Sequence, residues 1–391
     1  MKMSKEDIIY DVIVVGAGIE GSATAYQLAK RGQNTLLLEQ FLLPHSRGSS
    51  HGQTRILRRA YPQEIYSDMM KKNVEEWHIL EKESGEKLYN NCGTLVVSPP
   101  SVLEVIETRL KVTKSPYRGL TAPEMKSEFP TITLPDDYTG IYDYQGGILF
   151  ADKALRAFQE QFKKYGGTLR DGEQVKDVIP GDIVTLTTMT GSQFKGRNIV
   201  LALGPYTNLL LAKIGLQLPL KVVKVHVLYW KEKVAGMHSP DKFPCFIDES
   251  ASEGVPVYGL PALEYPGLVK MCLHAGPVVD PHRREDVDSS WVRERMMKYI
   301  EKTFPWLHPV PAIEEICIYT NSPDIHFFLD RHPKYENIII AAGFSGHGFK
   351  LAPVVGKVLS DLVLAKKPAF DMNWFKISRF DKGEVTFSSK L

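Results

Sequence analysis

The chain has 391 residues, 43% of them hydrophobic and 24% charged, with a formal net charge of +2. That length allows two or three domains of ordinary globular composition, and the near-neutral charge gives no reason to expect nucleic acid or a membrane surface as partner. Apolar runs such as Val12–Val15 and Ile338–Ala342 fall far short of the roughly 20 residues that span a bilayer.

Met1–Asp7 is polar and carries no secretory pattern. Tyr10–Val15 is a continuous apolar run, the pattern of a buried parallel strand. It stops at Gly16-Ala17-Gly18-Ile19-Glu20-Gly21, a GxGxxG turn, after which Ser22–Lys30 reads as a helix and Thr35–Leu38 as a second strand ending at Glu39. Each part has a physical task in holding a dinucleotide. Gly16 permits the tight turn, Gly18 lets the backbone approach a pyrophosphate, and Gly21 lets the helix pack closely on the strands. The helix N-terminus offers free N–H groups to phosphates. Glu39 can accept hydrogen bonds from a ribose diol. The plainer alternative is a βαβ unit without a ligand.

Phe41–Arg59 is rich in Ser, Gly, His and Arg and reads as a cationic loop. Helical spacing follows over Ile65–Gly85, a strand region over Leu88–Val97, and helices around Ser101–Leu110 and Ala122–Phe129. A turn at Asp143–Gly147 leads to a helix over Asp152–Tyr165, then Thr168–Val178 and Ile183–Thr190 suggest a small meander. Two apolar strands that end in glycine, Ile199–Gly204 and Ile338–Gly343, look like later returns to the first sheet. Between them Leu218–Ile318, with many strand-like runs, is a candidate second domain. The reading is α/β: a dinucleotide fold interrupted by a substrate domain.

Three segments carry chemistry. In Val269–His274 the two-residue strand period puts Lys270, Cys272 and His274 on one face. An inward lysine points to function, whereas an edge strand would leave all three in water. In Glu315–Asp324, Cys317 and Tyr319 share a face, and an inert buried cysteine is the plainer account of Cys317. Ala341–Lys350 places Gly343, Gly346 and Gly348 where backbone can approach a flat ligand. Lys350 stands at the entry to a helix over Ala352–Leu364. A lysine there suits negative charge on a reduced cofactor or a carboxylate; a tight turn with an exposed lysine is the alternative. The four cysteines (Cys92, Cys245, Cys272, Cys317) show no metal-ligand spacing and suit a reducing interior. Ser389-Lys390-Leu391 matches a receptor-read peroxisomal address.

GAGIEGSATAYQLA, HSRGSSHGQTRILRRAY, CIYTNSPD and AAGFSGHGFKLAPVVGK resemble the monomeric sarcosine oxidase family, nearest its peroxisomal branch of sarcosine and L-pipecolate oxidases. The resemblance extends from about Asp11 to Arg379. It implies a D-amino-acid-oxidase-like fold with a Rossmann-type βαβ unit and an inserted, mostly antiparallel sheet domain. FAD-binding would fall to 1–85, 145–216 and 319–391, and the substrate domain to 86–144 and 217–318. It further implies FAD joined covalently to Cys317 as an 8α-S-cysteinyl flavin, and a carboxylate clamp of Arg58 and Lys350. His51 and Arg55 would lie near the flavin, and Lys270 would activate oxygen with His274 close by. Tyr319 and Tyr258 would be active-site tyrosines, the latter in a stretch that carries one extra residue before Lys270. The implied partners are a secondary amino acid, O2 and the peroxisomal import receptor, and the implied state is a monomer. Rival readings are a flavoprotein dehydrogenase that passes electrons to a carrier protein, an NAD-dependent dehydrogenase, and a non-catalytic flavin-binding module.

Overall fold

Strand Ile9–Val15 is buried over its last four residues, and Thr35–Leu38 over its whole length. Continuous burial of this kind arises where a parallel sheet is covered on both faces. In the computed structural model, which describes residues 8–252, 254–381 and 386–387, these two strands lie at the centre of an eight-stranded sheet. Thr168–Arg170, Thr35–Leu38, Ile9–Val15, Gln193–Leu201 and Ile338–Ala342 run parallel in that spatial order. Antiparallel additions close the two sides. Val175–Ile179 and Val184–Thr188 extend from the first half of Gln193–Leu201, and Phe328–Arg331 pairs with Ile338–Ala342.

Helix Ile19–Lys30 packs against helices Ala352–Val363 and Ala151–Lys164, and their apolar faces share one core with Trp77, Phe158 and Phe162. The first helix starts at Ile19, inside the glycine turn, three residues earlier than the sequence pattern suggests. Two further expectations are corrected. Thr168–Arg170 joins the parallel sheet beside Thr35–Leu38 rather than the meander. The cationic loop contains a strand, Thr54–Leu57, which pairs with Gly147–Phe150 in a separate three-stranded sheet. Thr54–Leu57 runs two polar residues and then two apolar ones, so it shows neither the alternation nor the apolar run of a strand.

The second eight-stranded sheet runs Leu307–Asn321, Lys221–Glu232, Leu268–Leu273, Val255–Tyr265, Cys245–Ser252, Thr94–Ser98, Thr139–Asp143 and Tyr117–Leu120. All its pairs are antiparallel except Cys245–Ser252 with Thr94–Ser98. Helix Ser290–Thr303 covers one face, burying Val292, Met296 and Ile300 against Val257, Val269, Met271 and Leu273. Alternation sends the intervening side chains to the opposite face. That face looks onto the first sheet's glycine turn across a deep cavity. Among the described residues no helix is long and apolar enough to cross a membrane.

Candidate functional site

One continuous cavity of about 1000 Å³ runs from the glycine turn to the second sheet. At the first end the backbone itself is the device. Gly16 has φ +103°, and a Cβ there would lie 2.3 Å from the Ala202 carbonyl oxygen. A Cβ on Gly21 would meet the Gly16 carbonyl oxygen at 1.8 Å, so the first turn of the helix can pass behind the glycine turn only on a bare residue. Gly21 packs behind the turn, whereas Gly16, Gly18 and Glu39 line the cavity. Glu39 is nearly buried and accepts from the Ala17 N–H at 2.8 Å and from Phe41 at 3.1 Å.

Glu20 also faces this space, and neither of its carboxyl oxygens has a hydrogen-bond partner among the described residues. Burial pushes its carboxyl well above the ordinary range. A bare glycine turn, a helix N-terminus and an orphaned buried acid in one long cavity fit a dinucleotide such as FAD.

The cationic loop forms the middle wall. His51 sits between two carbonyl oxygens, Nδ1 at 2.8 Å from Gly48 and Nε2 at 3.0 Å from Ile316. Burial and then the Arg55 guanidinium hold its pKa below the ordinary value. Arg55 donates to the carbonyls of Thr54, Ser49 and His51 at 2.7–2.9 Å, so it fastens the loop on which it sits. Both residues line the cavity.

At the far end Cys317 and Tyr319 point into the cavity from Leu307–Asn321, as their shared strand face requires. The Tyr319 hydroxyl donates to that of Tyr258 at 3.3 Å, and the His274 ring lies 5.2 Å from the Tyr319 ring. Burial raises both phenols far above the ordinary tyrosine range, so they remain protonated donors. Gly346, with φ +75°, passes so close that a Cβ would lie 2.7 Å from both His274 and Tyr319. Gly343 and Gly348 line the same turn.

Two cations meet beside these rings. Arg58 and Lys350 both stack on Tyr61, at 5.1 and 5.4 Å from its centroid, and the Lys350 ammonium donates to the Tyr61 hydroxyl at 3.1 Å. Burial, then Arg58, depress the Lys350 pKa well below its ordinary value. An anion arriving there gains two partners and restores the lysine's preference for its charged form.

Lys270 is only 5% exposed, and its strand lies between Lys221–Glu232 and Val255–Tyr265. The edge-strand alternative is therefore overturned, and the lysine faces the cavity. Lys350 likewise is half-buried and hydrogen-bonded to Tyr61 rather than an exposed lysine on a tight turn. The fold adds two carboxylates that no sequence motif singles out. Glu249 accepts from Arg58 at 2.7 Å, and Glu264 accepts from Lys270 at 2.7 Å. Among the described residues no group of three metal-ligating side chains occurs.

Comparison with known proteins places this cavity in context. Residues 11–362 match the family described as FAD dependent oxidoreductase. The peroxisomal sarcosine oxidase of Homo sapiens is 44% identical, over 97% of this chain and 98% of that protein. A monomeric sarcosine oxidase of Bacillus sp. (strain B-0618) is 34% identical, over 95% and 96%. Among solved structures, NikD, an unusual amino acid oxidase essential for nikkomycin biosynthesis, superposes in its open form with a TM-score of 0.81 at 26% identity. It covers 94% of this chain and 97% of that one.

Proposed function

The chain belongs to the family of FAD-dependent oxidoreductases, and from that premise we propose an oxidase of secondary amino acids, with sarcosine and L-pipecolate as first candidates and L-proline as a third. The observation that carries this reading is the meeting of Arg58, Lys350, Tyr258 and Tyr319 at one end of a cavity whose other end is a dinucleotide cradle.

Gly16, Gly18, Glu39 and the start of helix Ile19–Lys30 would hold the FAD adenosine and pyrophosphate. Gly343, Gly346 and Gly348 would lie along the flavin. The bound FAD supplies a two-electron acceptor for the amine and a donor to dioxygen, so that hydrogen peroxide is released. Everything else falls to the chain. Arg58 and Lys350 fix the substrate carboxylate, with Arg58 exchanging Glu249 for it, and so hold the carbon to be oxidised in one place. The two cations favour loss of the ammonium proton from the bound amine. His51, Arg55 and His274 would complete the wall around the reacting atoms. Lys270 would stabilise the negative charge that develops on dioxygen. In sarcosine the oxidised bond is N–CH3, which gives formaldehyde and glycine after hydrolysis; in L-pipecolate it is a ring C–N bond, which gives a cyclic imine.

Cys317 would carry a thioether to the flavin 8α-carbon. Its support is a sulfur that faces the cavity from a strand shared with Tyr319. Acid precipitation should leave a yellow pellet from the wild-type enzyme and a colourless one from Cys317→Ser; a colourless wild-type pellet removes the covalent link. The FAD-binding part would comprise 1–85, 145–216 and 319–391, and the substrate part 86–144 and 217–318. A monomer is supported by the name of the Bacillus relative. The relative named peroxisomal supports a peroxisomal location; Ser389–Leu391, read as the receptor address, lies outside the described residues.

A panel of sarcosine, L-pipecolate, L-proline and primary amino acids, scored by peroxide release, tests the function. Peroxide from at least one secondary amino acid is expected. Reduction of an artificial electron acceptor without peroxide would identify a dehydrogenase instead.

A further inference from the structure

Lys270 is not a lone cation in its wall of the cavity. Its ammonium donates to Glu264 Oε1 at 2.7 Å and to Thr54 Oγ1 at 3.3 Å. Thr54 donates to the same carboxylate oxygen. The other oxygen, Oε2, accepts from the Tyr229 hydroxyl at 2.7 Å, and the Tyr229 ring lies 5.6 Å from the ammonium. Tyr229 also approaches Glu315 at 3.4 Å, and Glu315 accepts from Tyr265 at 2.6 Å. The side chains of Lys270 and Glu264 are 7% and 4% exposed, so water supplies little of their solvation. Burial by itself raises the Glu264 carboxyl, but the charge of the Lys270 ammonium and hydrogen bonds from Lys270, Thr54 and Tyr229 outweigh that and hold it below the ordinary range. Lys270, Glu264, Thr54 and Tyr229 come from four different strands, which a surface ion pair would not require.

We propose that Glu264 is a positioning residue for the oxygen half of the reaction: it keeps the Lys270 side chain in its charged form and fixes the direction of its ammonium within the cavity. The inference rests on the assignment of Lys270 to that half-reaction. A buried lysine without a counter-ion sheds its proton at a pH several units below the normal range. The other titratable groups around Lys270 do not replace Glu264. Tyr229 from Lys221–Glu232 and Tyr258 from Val255–Tyr265 are phenols raised by burial. Cys272, on the same strand, is a buried thiol pushed up to about 11. Arg55, beside Thr54, is a cation that only adds to the repulsion. Glu315 reaches this group only through Tyr229.

The test uses Glu264→Gln holoenzyme, reduced anaerobically by substrate and mixed with oxygen across a pH series. Gln preserves shape and hydrogen bonding but not charge. Reoxidation is expected within about threefold of wild type at acid pH, falling about tenfold per pH unit once Lys270 titrates. Anaerobic reduction by substrate should change much less. The visible absorption of the resting enzyme provides a second readout, because loss of a nearby positive charge shifts it. Glu264→Gln should show a pH transition in that spectrum at which wild type shows none. Reoxidation and spectra that follow wild type at every pH, while Lys270→Met is slow, would overturn the role of Glu264 and leave that of Lys270 standing. Normal reoxidation in Lys270→Met would overturn both. A uniform loss across pH with an unchanged spectrum would make Glu264 merely structural and also overturn the proposal. Should Glu264→Gln not fold, Glu264→Asp keeps the charge but draws it back by one methylene. Its reoxidation should fall with rising pH where that of wild type stays level, and a superimposable profile would contradict the proposal.

Discussion

The two ends of the cavity work by different means. At the glycine turn, the cavity is lined by backbone of Gly16 and Gly18 and by the start of helix Ile19–Lys30, with Glu39 held on the Ala17 N–H, and all of it comes from the one segment 16–39. At the second sheet, function rests on side-chain charges held by distant partners. Arg58 is 191 positions from Glu249, and Lys270 is 216 from Thr54. A site made of backbone tolerates little change in shape, because a Cβ added at Gly16 or Gly21 collides with a carbonyl oxygen. A site made of paired charges keeps its shape when one charge is removed, and what fails is a single step of the chemistry. Changes at the first end should therefore act on cofactor occupancy as a whole, and changes at the second should separate binding from each half-reaction.

The largest effect is expected from Gly21→Ala. Its Cβ would sit 1.8 Å from the Gly16 carbonyl oxygen, so turn and helix must part, and purified protein should contain little FAD. Full occupancy in this variant would show that the turn is not the dinucleotide cradle. Next comes Lys270→Met, which keeps bulk and removes charge. One preorganised donor is worth roughly 10²–10³ in rate, so flavin reoxidation should slow by that factor while anaerobic reduction changes far less. Equal slowing of both halves would break the division drawn between binding and oxygen chemistry.

Smaller and opposite effects should distinguish the partners at the carboxylate clamp. A charge-assisted hydrogen bond contributes about 1.5–3 kcal/mol. Arg58→Ala or Lys350→Ala should then weaken a carboxylate inhibitor roughly 10- to 150-fold, with neutral amines little affected. Glu249→Gln should do the reverse by a few-fold, on the order of 1 kcal/mol, because the inhibitor no longer competes with an internal carboxylate for Arg58. Inhibitor titrations monitored by flavin absorbance give both values. Weaker binding in Glu249→Gln would mean that Glu249 holds Arg58 in its binding position rather than competing for it.

The same contrast governs which parts of the molecule are legible in its sequence. The βαβ unit is legible because its signals are local: an apolar run, glycines at fixed offsets, and an acid at the end of the next strand. Ile199–Gly204 and Ile338–Gly343 stand out as returns to that sheet because strands buried on both faces read as unbroken hydrophobic runs. Thr168–Arg170 reads as part of the wrong sheet region, since a three-residue strand carries no information about its pairing. The inward direction of Lys270 stays open in the sequence, because periodicity sets which residues share a face and not whether that face meets water. Neither Glu249 nor Glu264 falls in a motif that would single it out. A carboxylate in a polar stretch looks solvated until the fold brings a buried cation beside it.

The identity of this protein as an oxidase is tested most directly by following its flavin through one cycle. Purified enzyme is mixed anaerobically with sarcosine or L-pipecolate, and the reduced enzyme is then mixed with oxygenated buffer. The visible flavin band should bleach with at least one of the two amino acids and return promptly in oxygen, with stoichiometric hydrogen peroxide. A flavin that bleaches but stays reduced in oxygen until an electron carrier is added, or one that no secondary amino acid bleaches, would contradict the account.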